Sequence, residues 1–399
     1  MQNGDEVAIM RPKLATLGRF FVPPAGSFLL FGPRGTGKST WIQAAFPGAV
    51  RVDLLDPAAQ RHYGAHPERL RELVAAHPGV ATYVVDEVQR VPAVLDVVHG
   101  LLEARPDLRF VLTGSSARKL RRAGVNLMAG RAVQRAMHPF MAAELGAAFD
   151  LERALQQGLV PLVWNAADPA DALRSYLALY VREEVQQEGL VRDVGAFARF
   201  LEAVGLTHGA PQNLSSIAAE CQVSRKTVEG YLGILHDLML CFSLPVFRKR
   251  AQRRVTAHPK LYWFDTGVFV ASRPRGPLDR PAEIGGAALE GLVAQHLRAW
   301  IDYGQRDLQM HFWRTPGGNE VDFVLYGGGG FFAIEVKSGD RVRGDDLKAL
   351  RAFGEDYPEA ERVLLYRGTE SLVIDGVCCV PVESFLRQLH PARELPFVA

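Results

Sequence analysis

The sequence predicts an α/β fold that begins with a parallel sheet covered by helices, and three observations predict it. An apolar run ending at Phe31 leads directly into a glycine-rich loop. A second β-rich run, residues 81–87, ends in two carboxylates. Between residues 25 and 115, apolar runs alternate with helical stretches such as 67–76 and 91–104, the order of βαβ units.

The glycine-rich loop has the form G-x-x-x-x-G-K-S and predicts a phosphate-binding site. Residues 29–40 read Leu-Leu-Phe-Gly-Pro-Arg-Gly-Thr-Gly-Lys-Ser-Thr. Glycines let such a loop turn tightly and aim its N–H groups at phosphate oxygens, and the next helix adds a favourable dipole. We expect Lys38 to reach the β- and γ-phosphates and the Ser39 hydroxyl to bind Mg²⁺. The expected nucleotide-contacting residues are Gly32, Pro33, Arg34, Gly35, Thr36, Gly37, Lys38, Ser39 and Thr40.

The run Ala81–Glu87 predicts the second half of a nucleotide hydrolase site. Asp86 is expected to hold the Mg²⁺ through water, and Glu87 to orient and polarise the attacking water. The alternative is a strand that ends in a helix-capping acid. The loop upstream favours the catalytic interpretation.

A third run, Arg109–Ser116, ends in hydroxyl side chains. Such a polar tip can lie between the two acids and the γ-phosphate and respond to its presence. Ser115 is the favoured residue for this role and Thr113 the alternative, with ordinary turn chemistry as the competing interpretation.

The composition is that of a globular protein. The 399 residues suffice for two or three domains, and 48% are hydrophobic and 23% charged. The net charge of +2 provides no global attraction to nucleic acid, so any such affinity must come from local patches. We expect a cytoplasmic protein with no membrane partner, because the sequence has no signal pattern and no membrane-length apolar run. The four cysteines lack metal-site spacing, which indicates reduced thiols: Cys221, Cys241, Cys378 and Cys379.

The order of the segments predicts three domains, at residues 1–138, 139–275 and 276–399. The middle one is helical from about 139 to 238, and the run Ser272–Pro277 has the composition of a linker. One helix over 283–302 and short strands at 309–315, 320–326, 331–337 and 362–366 are expected beyond it.

Residues 214–232 read as helix, turn, helix. Ser224 is a good N-cap for the second helix, whose exposed start presents Arg225, Lys226 and Thr227. A basic run follows, and it is a candidate wing against phosphates: Arg248, Lys249, Arg250, Arg253 and Arg254. A packing module with a solvated charged face is the alternative to DNA contact.

Two acidic strands around a four-glycine turn predict a hairpin near the C-terminus. If Tyr326 pairs with Phe331, Asp322 faces Glu335, and Glu320 faces Lys337 on the same face. Facing carboxylates with a nearby lysine predict a site for a hard cation, in which Lys337 orients a water. Glu290, on the preceding helix, can supply a third acid. A cross-strand ion pair between Glu320 and Lys337 is the alternative.

The pattern Asp322, Glu335-x-Lys337, with Glu290 before it, resembles the active site of restriction-endonuclease-like, or PD-(D/E)xK, nucleases. The whole chain resembles a large prokaryotic family that joins an AAA+-like P-loop ATPase domain, a helical or winged-helix region and a C-terminal domain of that nuclease fold. The motifs that carry the resemblance are Gly32–Ser39, Asp86–Arg90, Leu112–Ser116, Ala129–Arg131, Lys260–Gly267 and the hairpin acids.

The resemblance implies ATP as the nucleotide, Mg²⁺ as the metal, and assembly into a homo-oligomer, as a filament or a ring such as a hexamer. It also implies an arginine that reaches the neighbouring subunit's γ-phosphate. Arg131 is the favoured residue, with Arg135 and Arg118 as substitutes and a scaffold or surface role as the alternative.

Three functions follow from these features. The favoured one is a DNA-associated ATPase that couples hydrolysis to movement on, or remodelling of, duplex or branched DNA. The second is a nucleotide-gated, metal-dependent nuclease in defence or repair. The third is a nucleotide-dependent signalling switch that acts through protein partners.

Overall fold

The computed structural model describes residues 18–115, 131–181, 193–248, 258–274, 276–277 and 279–397. None of the helices within these ranges combines the length and the apolar character needed to cross a membrane.

The first unit is a parallel sheet of five strands in the order β2-β3-β4-β1-β5. Strand β4 therefore lies between β1, which leads into the glycine-rich loop, and β3, which ends at Asp86. All residues of β1 are buried, as expected for a strand covered on both faces. The parallel α/β sheet predicted from the sequence is confirmed. Its strands are β1 Ser27–Phe31, β2 Val50–Asp53, β3 Thr82–Asp86, β4 Arg109–Gly114 and β5 Ala132–Ala136, and its helices are α1 Lys38–Ala45, α2 Pro57–Ala65, α3 Arg69–Ala76 and α4 Val94–Ala104.

The middle unit is mostly helical. Its apolar residues form one continuous core with the long helix of the C-terminal unit. A π-helical turn follows α8, and a two-stranded antiparallel sheet, β6–β7, completes the unit. The elements are α5 Ala142–Leu145, α6 Leu151–Gln157, α7 Pro161–Trp164, α8 Pro169–Ser175, α9 Val194–Leu206, α10 Leu214–Cys221, α11 Arg225–Asp237, β6 Cys241–Leu244, β7 Lys260–Trp263 and α12 Thr266–Ser272.

Asp265, a buried carboxylate, joins two parts of this unit. One of its oxygens caps α12 by accepting the N–H groups of Gly267 and Val268, at 2.9 and 3.2 Å. The other accepts the N–H of Leu159 at 2.6 Å. Burial outweighs these hydrogen bonds and raises the pKa of Asp265 to about 6. The segment after α6 is thereby fixed to the start of α12.

The C-terminal unit is a six-stranded mixed sheet in the order β12-β13-β11-β10-β9-β8. Apolar residues on one face pack against the long helix α13, and those on the other face pack against α14. The elements are α13 Pro281–Gly304, β8 Gln309–Arg314, β9 Glu320–Gly327, β10 Gly330–Val336, α14 Lys348–Asp356, β11 Glu361–Tyr366, β12 Leu372–Ile374, β13 Val377–Pro381 and α15 Val382–Gln388.

The β9–β10 hairpin has the predicted register, since Tyr326 pairs with Phe331 and the ladder continues to Phe323 and Ile334. The pairing of β9 with β8 shifts, however, by one residue. Asp322 and Phe323 of β9 together stand against Phe312 of β8, which is a β-bulge. A bulge breaks the alternation of faces, so Asp322 lies where the period of two no longer holds.

Arg19, whose side chain is only 7% exposed, connects the first unit to the end of α13. Its guanidinium donates to the carbonyl of Thr36 at 2.9 Å, to Glu144 at 3.1 Å and to the Tyr303 hydroxyl at 3.1 Å. The same hydroxyl accepts the N–H of His138 at 2.9 Å. The glycine-rich loop and the C-terminal end of α13 are therefore held by one side chain.

Candidate functional site: the glycine-rich loop and the facing carboxylates

The glycine-rich loop lies between the end of β1 and the start of α1. Gly37, at φ 88°, occupies the position before the helix, a left-handed conformation that favours glycine. At Gly32, a Cβ atom would lie 2.6 Å from the carbonyl oxygen of Met137, so this position requires a glycine. The main chain can therefore turn its N–H groups toward the loop centre and the N-terminus of α1.

The carbonyl groups of the loop are held from outside. Arg34 O accepts the Tyr176 hydroxyl at 3.1 Å, and Gly35 O accepts the N–H of Leu162 at 3.2 Å. Together with the Arg19 bond to Thr36, these contacts fix the loop through residues of the N-terminal segment and of the middle unit. The shape of the loop is thus set before a phosphate arrives.

Lys38 is buried, and its ammonium group lies inside the loop. It donates to Gly32 O at 2.5 Å and to Pro33 O at 3.1 Å. Positive charge is consequently concentrated where a loop of this kind binds the β- and γ-phosphates.

Two hydroxyl groups contact the carboxylate of Asp86 at the end of β3, and one of them belongs to the residue after Lys38. Ser39 Oγ donates to one Asp86 oxygen at 2.8 Å, and Thr113 Oγ1 donates to the other. Thr113 Oγ1 also accepts the N–H of Glu87 at 3.1 Å. Hydroxyl and carboxylate oxygens are the ligands that Mg²⁺ prefers, so Ser39 and Asp86 fit a magnesium ion held beside nucleotide phosphates.

Glu87 adopts a left-handed backbone conformation with φ 56°, which is uncommon for a residue with a side chain. Gln89 Nε2 donates to its carboxylate and also to Ser115 Oγ, the latter at 3.0 Å. Ser115 Oγ lies 3.4 Å from the same Glu87 oxygen. The turn and the two polar side chains therefore fix the direction of the carboxylate.

Sequence reasoning placed Gln89 in a shared motif but gave it no role. The available signal was its position two residues after the Asp-Glu pair, buried beside the end of β4. The roles assigned to Ser115 and to Thr113 stay predictions, although both side chains touch the acids as expected.

The predicted arginines lie at different places. Arg131 Nη2 pairs with Glu103 at 2.8 Å, and Nη1 lies 3.3 Å from His99 Nε2, both on α4 of the same chain. Arg135 lies on β5, and its guanidinium donates to Gln134 O at 2.8 Å. Arg118 lies outside the described residues.

The predicted helix-turn-helix is present as α10 and α11, which pack on α9. Ser224 caps α11 by accepting the N–H of Thr227 at 3.1 Å. Arg225 and Lys226 are exposed at the start of α11, and Arg225 pairs with Glu229 at 3.0 Å. Of the predicted wing, Arg248 is exposed, whereas Lys249, Arg250, Arg253 and Arg254 lie outside the described residues.

The acidic residues of the C-terminal unit surround a lysine that sequence reasoning did not assign to this site. Lys260 Nζ, on β7, lies 2.9 Å from Glu290, 2.7 Å from Glu320 and 3.4 Å from Asp322. Its side chain is only 1% exposed. The Tyr262 hydroxyl donates to Glu290 at 2.5 Å.

The predicted contact between Glu320 and Lys337 is not formed. Lys337 pairs instead with Glu335 on its own strand, at 2.5 Å, and Glu320 binds Lys260 and Arg314. The cause is that the hairpin ladder ends at Phe323 and Ile334. Beyond it, Asp322 accepts the N–H of Val336 at 2.9 Å.

The charges of this cluster are strongly coupled. Burial, and then the charge of Asp322, raise the pKa of Glu290 to about 7, although Lys260 opposes the shift. Burial and Asp322 likewise raise the pKa of Glu335 well above its usual range. Burial lowers the pKa of Lys260, but the nearby acids outweigh it, so that pKa stays well above the usual value. No three His, Cys, Asp or Glu side chains in the described ranges are arranged to hold a metal ion.

Three family models match successive parts of the chain. An AAA domain matches residues 25–146, the domain of unknown function DUF8612 matches 148–279, and the domain of unknown function DUF4143 matches 285–385. No curated protein matches the chain. The AAA match, over a parallel five-stranded sheet with the loop and acids described above, indicates an AAA-like, nucleotide-dependent ATPase.

Among solved structures, the replication initiator DnaA bound to AMPPCP and single-stranded DNA is 13% identical with a TM-score of 0.25. That match covers 56% of this chain and 84% of that chain. Protein VC1899 from Vibrio cholerae is 12% identical with a TM-score of 0.23, over 91% of this chain and 96% of the other. Both scores are too low to support an argument about function.

Proposed function

We propose that the protein is an Mg²⁺-dependent ATPase whose turnover is coupled to DNA. The observation that carries the ATPase part is the chain of contacts from Ser39 to Asp86 to Thr113, directly beside the buried Lys38. It joins a phosphate-binding loop to the acid edge of the sheet, which is the arrangement that phosphoryl transfer requires.

Each residue of the site has a separate part in this proposal. Lys38 neutralises charge on the β- and γ-phosphates, and Ser39 and Asp86 hold the magnesium ion. Bound Mg²⁺ would neutralise the charge that develops on the phosphate oxygens. Glu87 accepts a hydrogen bond from the attacking water and polarises it. Gln89 and Ser115 fix the direction of the Glu87 carboxylate, and the backbone of Glu87 is in the left-handed region.

The DNA part of the proposal rests on the start of α11. Arg225 and Lys226 are exposed there, in the first turn after the Ser224 cap, where a recognition helix makes its contacts. Arg248, which is exposed after β6, begins the basic run that the sequence predicts as a wing. Because the net charge is only +2, this local patch has to supply the attraction to phosphates.

We further propose that subunits assemble with Arg131 as the arginine that reaches a neighbour's γ-phosphate. Its guanidinium side chain is 39% exposed at the start of β5, the edge strand next to β1. On assembly, Arg131 leaves its exposed ion pair with Glu103 and binds the γ-phosphate of the neighbouring subunit's nucleotide. Such an exposed pair contributes little to stability, so the exchange costs little.

The first experiment is steady-state ATP hydrolysis with Mg²⁺, without DNA and with single-stranded, duplex and four-way-junction DNA. Lys38→Ala is the control for contaminating activity. Strong stimulation by one DNA form, absent in the double variant Arg225→Ala/Lys226→Ala, is the expected result. Lys348→Ala, which removes an exposed lysine at the start of α14, is the matched control and should respond to DNA normally.

Two other outcomes decide against parts of the proposal. Turnover that depends on Lys38 but ignores every DNA form refutes the DNA part and favours a nucleotide switch acting through protein partners. A wild-type rate no higher than that of Lys38→Ala refutes the assignment of the site itself, because the site then adds nothing to the contaminating activity.

A further inference from the structure

We infer that the Lys260 ammonium takes the place of a bound cation in the C-terminal acid cluster. The cluster is then an internal ionic lock and not the metal centre of a nuclease. This inference goes beyond the ATPase proposal and does not depend on it. It rests on the position of Lys260, on the hydrogen bonds of the acids, and on the rigidity of the strand that carries the lysine.

The position of Lys260 is the first argument. Its Nζ lies within 3.4 Å of carboxylate oxygens from Glu290, Glu320 and Asp322, which come from α13 and β9. These are the distances of ammonium–carboxylate pairs, and the lysine stem fills the space behind them with 1% exposure. A divalent cation needs the same oxygens to converge at 2.0–2.6 Å on one point. The ammonium group already lies among them.

Three other oxygens of the cluster, on Asp322 and Glu335, are also used by donors of the chain. Asp322 Oδ2 accepts the N–H of Val336 at 2.9 Å, and Glu335 Oε1 accepts Lys337 Nζ at 2.5 Å. Glu335 Oε2 accepts the N–H of Asp322 at 3.3 Å. In the presence of Lys260, the acids that resemble a nuclease centre are therefore directed at protein N–H groups and ammonium groups, and the cluster does not fit a metal ion.

Strand β7, which carries Lys260, is held in place, so its backbone cannot move the ammonium group away from the acids. Leu261, Tyr262 and Trp263 are fully buried, and β7 pairs with β6 along its whole length. Asp265 then fixes the following turn to α12 and to Leu159. Lys260 is thus a fixed internal cation supplied by the middle unit to the acids of the C-terminal unit.

The decisive test compares Mn²⁺ binding by the nucleotide-free wild-type chain and by Asp322→Asn, using equilibrium dialysis and electron paramagnetic resonance. Both chains keep Asp86 and Ser39, so any difference reports the acid cluster alone. The expected result is the same number of bound Mn²⁺ ions. A wild-type chain that binds one more Mn²⁺ than Asp322→Asn would overturn the inference.

A second comparison uses Lys260→Met, with Arg314→Met as the matched control. Arg314 is another cation near Glu320, at 3.4 Å, but its side chain is 43% exposed. At pH 8 we expect folded Lys260→Met to gain one Mn²⁺ ion that the added Asp322→Asn change removes, and Arg314→Met to gain none. A folded Lys260→Met without the extra ion contradicts the inference. If that variant does not fold, the first comparison still decides.

Discussion

Replacing Lys260 by methionine should destabilise the chain more than replacing any exposed cation. Methionine keeps the length and most of the volume of the lysine stem, so the packing loss is small. What disappears is the charge that lies 2.9 Å from Glu290 and 2.7 Å from Glu320. Breaking a buried pair by removing one partner costs about 3–5 kcal/mol, because the other charge stays buried without compensation. The expected loss at pH 8 is in that range.

The loss should depend on pH in a direction that the structure fixes. The pKa of Glu290 is about 7 in the folded chain against an ordinary value of 4.5. A raised folded pKa contributes stability at low pH that disappears as the pH rises through the folded pKa. Without Lys260 the ionised form loses its cation, so this pKa rises further. Lys260→Met should therefore lose most stability at pH 8 and distinctly less at pH 5.

Urea unfolding, followed by tryptophan fluorescence to which the buried Trp263 and Trp300 contribute, measures both effects. Arg314→Met should lose about 1 kcal/mol or less, since exposed ion pairs contribute little. A loss below about 1 kcal/mol for Lys260→Met at pH 8 would refute the reasoning, because breaking a buried pair has to cost more than that. A loss that is the same at pH 5 and pH 8 would refute the charge argument and leave packing as the cause.

Further predictions concern the nucleotide site and one glycine. Thr113→Val should lower kcat about 10- to 100-fold, the equivalent of losing a hydrogen bond to a charged group. The control Thr82→Val, the same isosteric change at the start of β3, should leave kcat unchanged. Equal kcat values for the two variants would contradict the role of the Thr113 hydroxyl. Glu87→Gln should bind ATP normally but turn it over about 10²- to 10⁴-fold more slowly, and near-normal turnover would exclude it as the general base. Gly158→Ala should cost several kcal/mol in thermal unfolding, because its Cβ would clash with the carboxylate that caps α12. Gly146→Ala, also at positive φ but in open space, should cost about 1 kcal/mol, and similar losses for the two would contradict the clash.

The first unit could be predicted from the sequence because its signals are local. The loop consensus and the acids at the end of a buried run each lie within a few consecutive residues. The contact between Ser39 and Asp86 follows from them, since the carboxyl ends of parallel strands meet at one edge of the sheet. The position of β4 between β1 and β3 depends on the order of strands, which no local pattern contains.

The acid cluster shows where local reasoning fails. The hairpin register was predictable because a short turn fixes which residues face each other. The bulge at Asp322 was not, since it depends on the pairing of β9 with a third strand. Lys260 is separated from Glu290 by 30 residues and from Asp322 by 62. A lysine in an apolar run gives no sign in the sequence of which carboxylates it will meet.

Helix α13 carries residues that contact both the glycine-rich loop and the acid cluster around Lys260. Near its C-terminal end, Tyr303 accepts a hydrogen bond from Arg19, which also donates to Thr36 of the glycine-rich loop. Nearer the middle of the helix, Glu290 forms an ion pair with Lys260. Glu290 and Tyr303 are about 20 Å apart along the axis at 1.5 Å of rise per residue, so a tilt of about 3° at one displaces the other by about 1 Å. A displacement of that size is enough to change an ammonium–carboxylate distance from a contact to a gap. Helix α13 is therefore one continuous element that joins the Arg19 contact at the glycine-rich loop to the ion pairs around Lys260.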